Sequence, residues 1–188
     1  MTGKPAATLL HLGPGLGNGL ANLHNARRAN SPVVNIVGDH ATYHLQYDPP
    51  LTTDIESMAK TVSGWVRTCR EASRVPGDAS DAIAASLQPP GGVATLILPA
   101  DCSWNESAAP FPAPEVPGPA SVDTGRIDRI AKVLRSSEPA VMLMGGPFLM
   151  EKPLWLAGRI SRAANARLIA NRVNSRFQRG AGRVNIDR

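Results

Sequence analysis

The sequence predicts an α/β protein: a parallel sheet carrying helices, followed by the opening of a second α/β unit. Three observations carry that prediction. Short apolar runs alternate with segments of helical periodicity, a glycine turn joins the first run to the first helix, and a stretch holding Pro110, Pro112, Pro114, Pro117 and Pro119 separates two such series.

Residues 6–12 read as a buried strand, and so do 32–37, where Val33, Val34, Ile36 and Val37 are β-branched. Between them, 18–29 puts Leu20, Leu23 and Ala26 or Arg27 at helical spacing, with Asn18 expected as the N-cap. A strand–helix–strand crossover of this length implies parallel pairing and a right-handed connection. After a loop over 38–52, Thr53-Asp54-Ile55-Glu56 has the form of a capping box. Ile55, Ala59 and Val62 then share one helix face, with Met58 beside them. Residues 65–69 are a candidate strand, and 78–87 an alanine-rich helix stopped by Pro89-Pro90-Gly91-Gly92. Residues 93–98 are the clearest buried strand.

Prolines at the density of 109–121 favour extended geometry and forbid an ordinary helix or central strand, so this stretch reads as a linker. Beyond it, Asp123 is expected to cap a helix ending at Leu134. A strand over 140–144, a turn at Gly145-Gly146-Pro147, a helix over 154–164 and a strand over 166–170 follow. The expected division is a first domain over 1–107 that lacks its first elements, a linker over 108–122 and a truncated domain over 123–188. With too few elements to close either domain, the sequence reads as a fragment.

Composition excludes several classes. At 188 residues with 43% hydrophobic and 19% charged, the chain can build a core and is not broadly disordered. No run of about 18 apolar residues exists, which excludes an ordinary membrane span. Met1-Thr2-Gly3-Lys4-Pro5 lacks the apolar core of a secretory signal. Cys69 and Cys102 are far apart in sequence, form no metal or redox motif and have no adjacent base. Buried thiols in a reducing cytoplasm are therefore expected. The net charge of +5 is concentrated in late arginines, Arg159, Arg162, Arg167, Arg172, Arg176, Arg179, Arg183 and Arg188. Phe177 alone supplies no stacking platform among them, so no nucleic-acid partner is expected.

The glycine turn admits competing chemistries. A dinucleotide site needs Gly-x-Gly-x-x-Gly, and Gly13 and Gly15 fill the first two places, but Asn18 holds the third. Starting at Gly15 puts Leu20 there. Asp39, after the second strand, imitates a ribose-binding acid and keeps an NAD-binding Rossmann-type oxidoreductase fragment as an alternative. No Gly-Lys-Ser/Thr exists for a phosphate loop. A glycine turn without any ligand is the bland reading. His40 and His44 stand at the spacing of a zinc helix, but no third ligand is evident, so no metal site is expected.

His11-Leu12-Gly13-Pro14-Gly15-Leu16-Gly17-Asn18, a helix, and then Ser31-Pro32-Val33-Val34-Asn35-Ile36-Val37-Gly38-Asp39 together resemble the pyrimidine-binding domain of thiamine-diphosphate-dependent enzymes. The nearest type is the acetolactate synthase large subunit, with benzoylformate decarboxylase close by. The resemblance continues through Gly92-Val93-Ala94-Thr95-Leu96-Ile97-Leu98-Pro99-Ala100-Asp101. It resumes at Glu138-Pro139-Ala140-Val141-Met142-Leu143-Met144-Gly145-Gly146, which is similar to the start of that family's Rossmann-like central domain.

The resemblance implies a parent that cleaves or joins α-keto acids, with thiamine diphosphate and magnesium as cofactors. It also implies a homo-oligomer built through the pyrimidine-binding domain. Gly13, Pro14, Gly15 and Asn18 would border the cofactor. His11 occupies the place of a proton-transferring histidine in benzoylformate-type decarboxylases, where acetolactate synthases more often carry a small hydroxyl residue. Asp39 replaces a common glutamine. Asp39, His40, His44 and Gln46 fall in a loop that borders the family's substrate pocket, and His24 reads as a packing or interface residue. The family's catalytic glutamate would precede Met1. Its magnesium ligands lie in a Gly-Asp-Gly domain that this sequence lacks, so the chain alone is expected to be inactive. A non-catalytic interaction module is the reading from another class.

Overall fold

A computed structural model describes residues 4–112, 115, 116, 118, 120–174 and 176–187. Met1-Thr2-Gly3, the linker prolines Pro114, Pro117 and Pro119, and Arg188 lie outside the described residues. The chain divides into two units, Met1–Pro117 and Gly118–Arg188.

In the first unit β1 (Ala6–His11), β2 (Val33–Asp39), β4 (Val93–Pro99) and β3 (Trp65–Thr68) form a four-stranded sheet in the order β1-β2-β4-β3. Every pairing is parallel, with Leu9 beside Ile36 and Ile36 beside Leu96. The α/β class and the parallel sheet thus follow the sequence expectation. β2 and β4 are central and covered on both faces, which is why they read as almost unbroken apolar runs. On one face Val33, Val37, Val93 and Ile97 meet Leu16 and Leu23 of α1 (Leu12–Arg28), with Ile55 and Ala59 of α2 (Ile55–Lys60). On the other, Val34, Ala94 and Leu96 meet Ala82 of α3 (Val75–Leu87) and Cys102 of α4 (Ala100–Trp104). Each such aliphatic side chain contributes about 1.5–3 kcal/mol when fully buried.

One polar row crosses the first of these faces. Thr8 Oγ1 donates to Asn35 Oδ1 (2.8 Å), Asn35 Nδ2 donates to Thr95 Oγ1 (3.0 Å), and Ser63 Oγ lies 2.7 Å from the same hydroxyl. Asn35 and Thr95 are fully buried, and their polar atoms are satisfied by one another.

Several boundaries differ from the sequence expectation. β1 stops at His11, and α1 begins at Leu12, so Asn18 is an interior helical residue and not the N-cap. Pro14 is tolerated because the first amides of a helix have no intrahelical acceptor, so its missing N–H costs nothing there. The glycines are tolerated because α1 must approach its neighbours closely: a Cβ on Gly19 would stand 2.8 Å from Leu10 Cδ1. Tertiary contact overrides helix propensity here. The cap of α2 is Asp54, whose carboxylate accepts from Ser57 N at 3.0 Å, while the Thr53 hydroxyl donates to Leu51 O instead. α3 starts at Val75 with Pro76 in its first turn, earlier than the expected 78. α4 stands where no helix was expected.

In the second unit β5 (Val141–Met144) and β6 (Arg167–Ala170) pair in parallel, joined through α6 (Glu151–Ala164). Leu149, Leu154, Ala157, Leu168, Ala170 and Ile186 make its core. α5 (Thr124–Leu134) is capped as expected, the Asp123 carboxylate accepting from Gly125 N at 2.8 Å, yet none of its residues is buried. Among the described residues no helix is long and apolar enough to cross a membrane.

Candidate active site

The carboxyl edge of a parallel sheet gathers strand ends and helix starts, and ligands in open α/β sheets bind there. In the first unit the register sets His11 beside Gly38 and Asp39 beside Pro99, so the ends of β1, β2 and β4 are level.

At the end of β1 the chain turns into α1 through Leu12, whose φ is +55°. A bulky residue in this left-handed region costs about 1–3 kcal/mol, which burial of its side chain offsets. Once the helix starts at Leu12, the glycine signature resolves into two faces. Leu12, Gly13, Leu16 and Leu23 are buried. Pro14 and Asn18, at i and i+4, form an exposed stripe on α1 with Gly15 beside it, and exposed His11 stands just outside the helix at the strand end. A Cβ on Gly15 would stand 3.3 Å from Leu10 C and 3.5 Å from His11 Cβ, so glycine is what seats the first turn against the strand end. Gly13 points the other way, where a Cβ would overlap the Thr53 side chain. The stripe suits an aminopyrimidine. Pro14 offers a flat apolar surface, and the Asn18 carboxamide can both donate to and accept from a ring bearing an amine and acceptor nitrogens.

Asp39 closes β2, and the loop after it carries the remaining predicted residues, His40, His44 and Gln46. Asp39 Oδ1 accepts from His40 N at 2.7 Å. His40 Nε2 lies 2.8 Å from the Pro50 carbonyl, which can only accept, so this nitrogen carries the ring proton. The His40 and His44 rings meet edge-on with centroids 5.8 Å apart, and Tyr47 follows at 6.4 Å from His44. Gln46 sits in a short 3₁₀ turn, Leu45–Tyr47, where its amide nitrogen donates to Tyr43 O at 2.9 Å. Among the described residues no group of three or more His, Cys, Asp or Glu is arranged to hold a metal ion. His24 is exposed on α1.

Sequence reasoning missed the residue that holds this loop. Asp101, in the first turn of α4, accepts from Thr42 N (3.0 Å) and from Thr42 Oγ1 (2.5 Å). Burial alone would raise its carboxyl pKa. The hydrogen bonds from the Thr42 hydroxyl and amide, with those from the first amides of α4, outweigh that and hold it below the usual carboxylate range. The available signal was the level register of β2 and β4, which brings the residues after Asp39 against those after Pro99.

Several known proteins are similar to this chain in sequence and fold. The family described as "Thiamine pyrophosphate enzyme, N-terminal TPP binding domain" matches residues 1–61. A Mycobacterium tuberculosis protein provisionally named acetolactate synthase large subunit IlvX is 51% identical over 188 residues, 100% of this chain and 36% of its own. Benzoylformate decarboxylase of Pseudomonas aeruginosa is 28% identical over 149 residues, 77% of this chain and 28% of its own. Among solved structures, a provisionally assigned thiamin diphosphate-dependent enzyme from Mycobacterium smegmatis has a TM-score of 0.80 at 30% identity, covering 93% of this chain and 34% of that one. The thiamine diphosphate-dependent 4-hydroxybenzoylformate decarboxylase of Rhodococcus jostii RHA1 has a TM-score of 0.79 at 24% identity over the same shares, a likeness of fold. The chain thus spans about a third of the length of these relatives. These likenesses lead to one conclusion: residues 1–61 match the N-terminal thiamine pyrophosphate-binding domain family, and the whole chain is similar to about a third of a protein provisionally named acetolactate synthase large subunit.

Proposed function

We propose that this chain supplies the pyrimidine-binding half of a thiamine-diphosphate-dependent enzyme acting on an α-keto acid. The observation that carries this reading is the grouping of exposed His11 at the end of β1 with Pro14, Gly15 and Asn18 on the first turns of α1, at the level carboxyl edge of the sheet. When bound, the cofactor supplies an electron sink for carbon–carbon bond cleavage or formation next to a carbonyl.

Pro14 and the Gly15 backbone would hold the pyrimidine ring, and the Asn18 carboxamide would supply hydrogen bonds to it. Gly13 contributes from behind, letting α1 close against Thr53. His11, exposed at the strand end, is placed to give or take a proton at the reacting group, because an imidazole ring carries both a donor and an acceptor nitrogen. Asp39, His40, His44 and Gln46 form the wall that meets the substrate. His40 shapes that wall through its bond to Pro50, and His44 presents an exposed ring.

Magnesium and the diphosphate would be held by a partner domain, in an oligomer assembled through this unit, in the cytoplasm. The chain is expected to bind the pyrimidine end of the cofactor. Titration of the ¹⁵N-labelled chain with thiamine diphosphate tests the reading. Saturable shifts at His11, Gly15 and Asn18 are expected. An unmoved spectrum, together with saturable energy transfer from Trp65 to NADH, would replace it with the dinucleotide alternative.

A further inference from the structure

The loop from His40 to Tyr47 has little to hold it in place. Thr42, Tyr43, His44, Leu45, Gln46 and Tyr47 are all exposed, and only Ala41 is buried. Within itself it closes two turns, His44 N to Ala41 O (2.8 Å) and Tyr47 N to His44 O (3.0 Å). These shape the loop but do not tie it to the sheet. Two attachments do. One is the His40–Pro50 bond, which links the loop to its own continuation. The other reaches 59 residues along the chain, where both carboxylate oxygens of Asp101 are taken by Thr42, one by its amide and one by its hydroxyl. Asp101 is itself fixed, because its neighbour Cys102 is buried in the core beneath β4. The two-point bond therefore couples the exposed loop to the buried core, midway between the two histidines.

We infer that Asp101 is a positioning residue: by holding Thr42 at two points it sets the His40–His44 ring pair at the sheet edge where an α-keto acid would lie. The inference rests on the reading of this loop as the substrate wall. Asp101 need not touch the substrate. Its effect passes through Thr42 to the imidazoles on either side. A hydrogen bond to a charged group is worth about 1.5–3 kcal/mol, enough to change the population of the held loop by about ten- to a hundredfold.

The test uses the whole chain in three forms besides the native one: Asp101→Ala, Asp101→Asn and Thr42→Val. Amide hydrogen exchange at Thr42 and His44, and the ring resonances of His40 and His44, are recorded with and without benzoylformate as the probe. In Asp101→Ala, exchange at both amides is expected to quicken about tenfold or more. The ring resonances should move toward those of free histidine, and the benzoylformate-induced shift should weaken, while Val37 and Ile97 keep their protection. Asp101→Asn, which retains one acceptor, is expected to restore part of each effect. Thr42→Val, which removes only the hydroxyl, should show a smaller change of the same kind and serves if Asp101→Ala does not fold. Unchanged loop exchange and ring resonances in both Asp101→Ala and Thr42→Val would overturn the inference while leaving the functional reading intact. A native chain whose histidine resonances ignore benzoylformate, though the loop loosens without Asp101, would overturn the substrate wall and the positioning role with it.

Discussion

Gly13 shows how one motif residue can answer to the fold as well as to a ligand. Its missing Cβ is the space into which the Thr53 side chain fits, so α1 and the loop before α2 touch at this point. Gly13→Ala is expected to destabilise the chain by about 1–3 kcal/mol, the usual cost of overpacking. The same change in a Thr53→Gly background should cost markedly less, because the obstructing atoms are gone. Urea unfolding of the four proteins measures this, and an unshifted midpoint for Gly13→Ala would show that the contact yields without cost. A second residue makes a statement about pH. The Cys69 thiol is pushed up from 9.0 to about 12, first by burial and then by Asp78, whose carboxylate accepts its S–H at 3.2 Å. A folded-state value above the unfolded one means the neutral thiol stabilises the fold below pH 9.0, and that this contribution is lost as pH rises toward 12. Stability should therefore decline across that window, more in the native chain than in Cys69→Ala. Native Cys69 should also resist alkylation at pH 8. Equal declines in the two proteins would place the loss elsewhere.

At the scale of elements, the polar row Thr8–Asn35–Thr95–Ser63 crosses a face that is otherwise aliphatic, and it joins β1, β2 and β4 at one level. Sliding any of these strands by one residue would bury the row without partners, which makes it a register lock. Asn35→Ala removes both bonds and leaves a cavity, and is expected to cost about 2–4 kcal/mol in urea unfolding. A loss under about 0.5 kcal/mol would mean the row is incidental. The same elements show what a sequence can display. β2 and β4 were legible because strands covered on both faces need apolar residues at nearly every position, and Val33–Val37 and Val93–Leu98 supply them. The start of α1 was not legible. Glycines and a proline are turn residues by propensity, and only Leu10 and Thr53, brought in by the fold, explain their place inside a helix. α4 escaped notice because five residues cannot display a helical period. The candidate site divides the same way. His11, Pro14 and Asn18 were visible in one short motif, whereas the bond between Thr42 and Asp101 depends on parallel strands that no local pattern reveals.

Across the whole molecule, charge and core quality divide at the same place. The first 117 residues hold ten acids and seven bases, and the rest hold thirteen bases and five acids. The first unit encloses two hydrophobic clusters around four strands, while the second has one cluster and a two-stranded sheet, a size that is marginal by itself. In that second unit Ile127, Ile130, Val141 and Ile160 are exposed around a cleft of about 1130 Å³ between α5, α6 and β5. Apolar surface left open contributes nothing to stability, and like charges repel within the unit, so both terms weaken it relative to the first. The expected outcome is unfolding in two steps. Amides of β5 and β6 should lose protection at lower urea than those of β2 and β4, and Trp155 fluorescence should change before that of Trp65. The lower transition should move upward with added salt as the repulsion among arginines is screened, while the upper one stays in place. Coincident loss of protection in all four strands, insensitive to salt, would mean that the second unit draws its stability from the first.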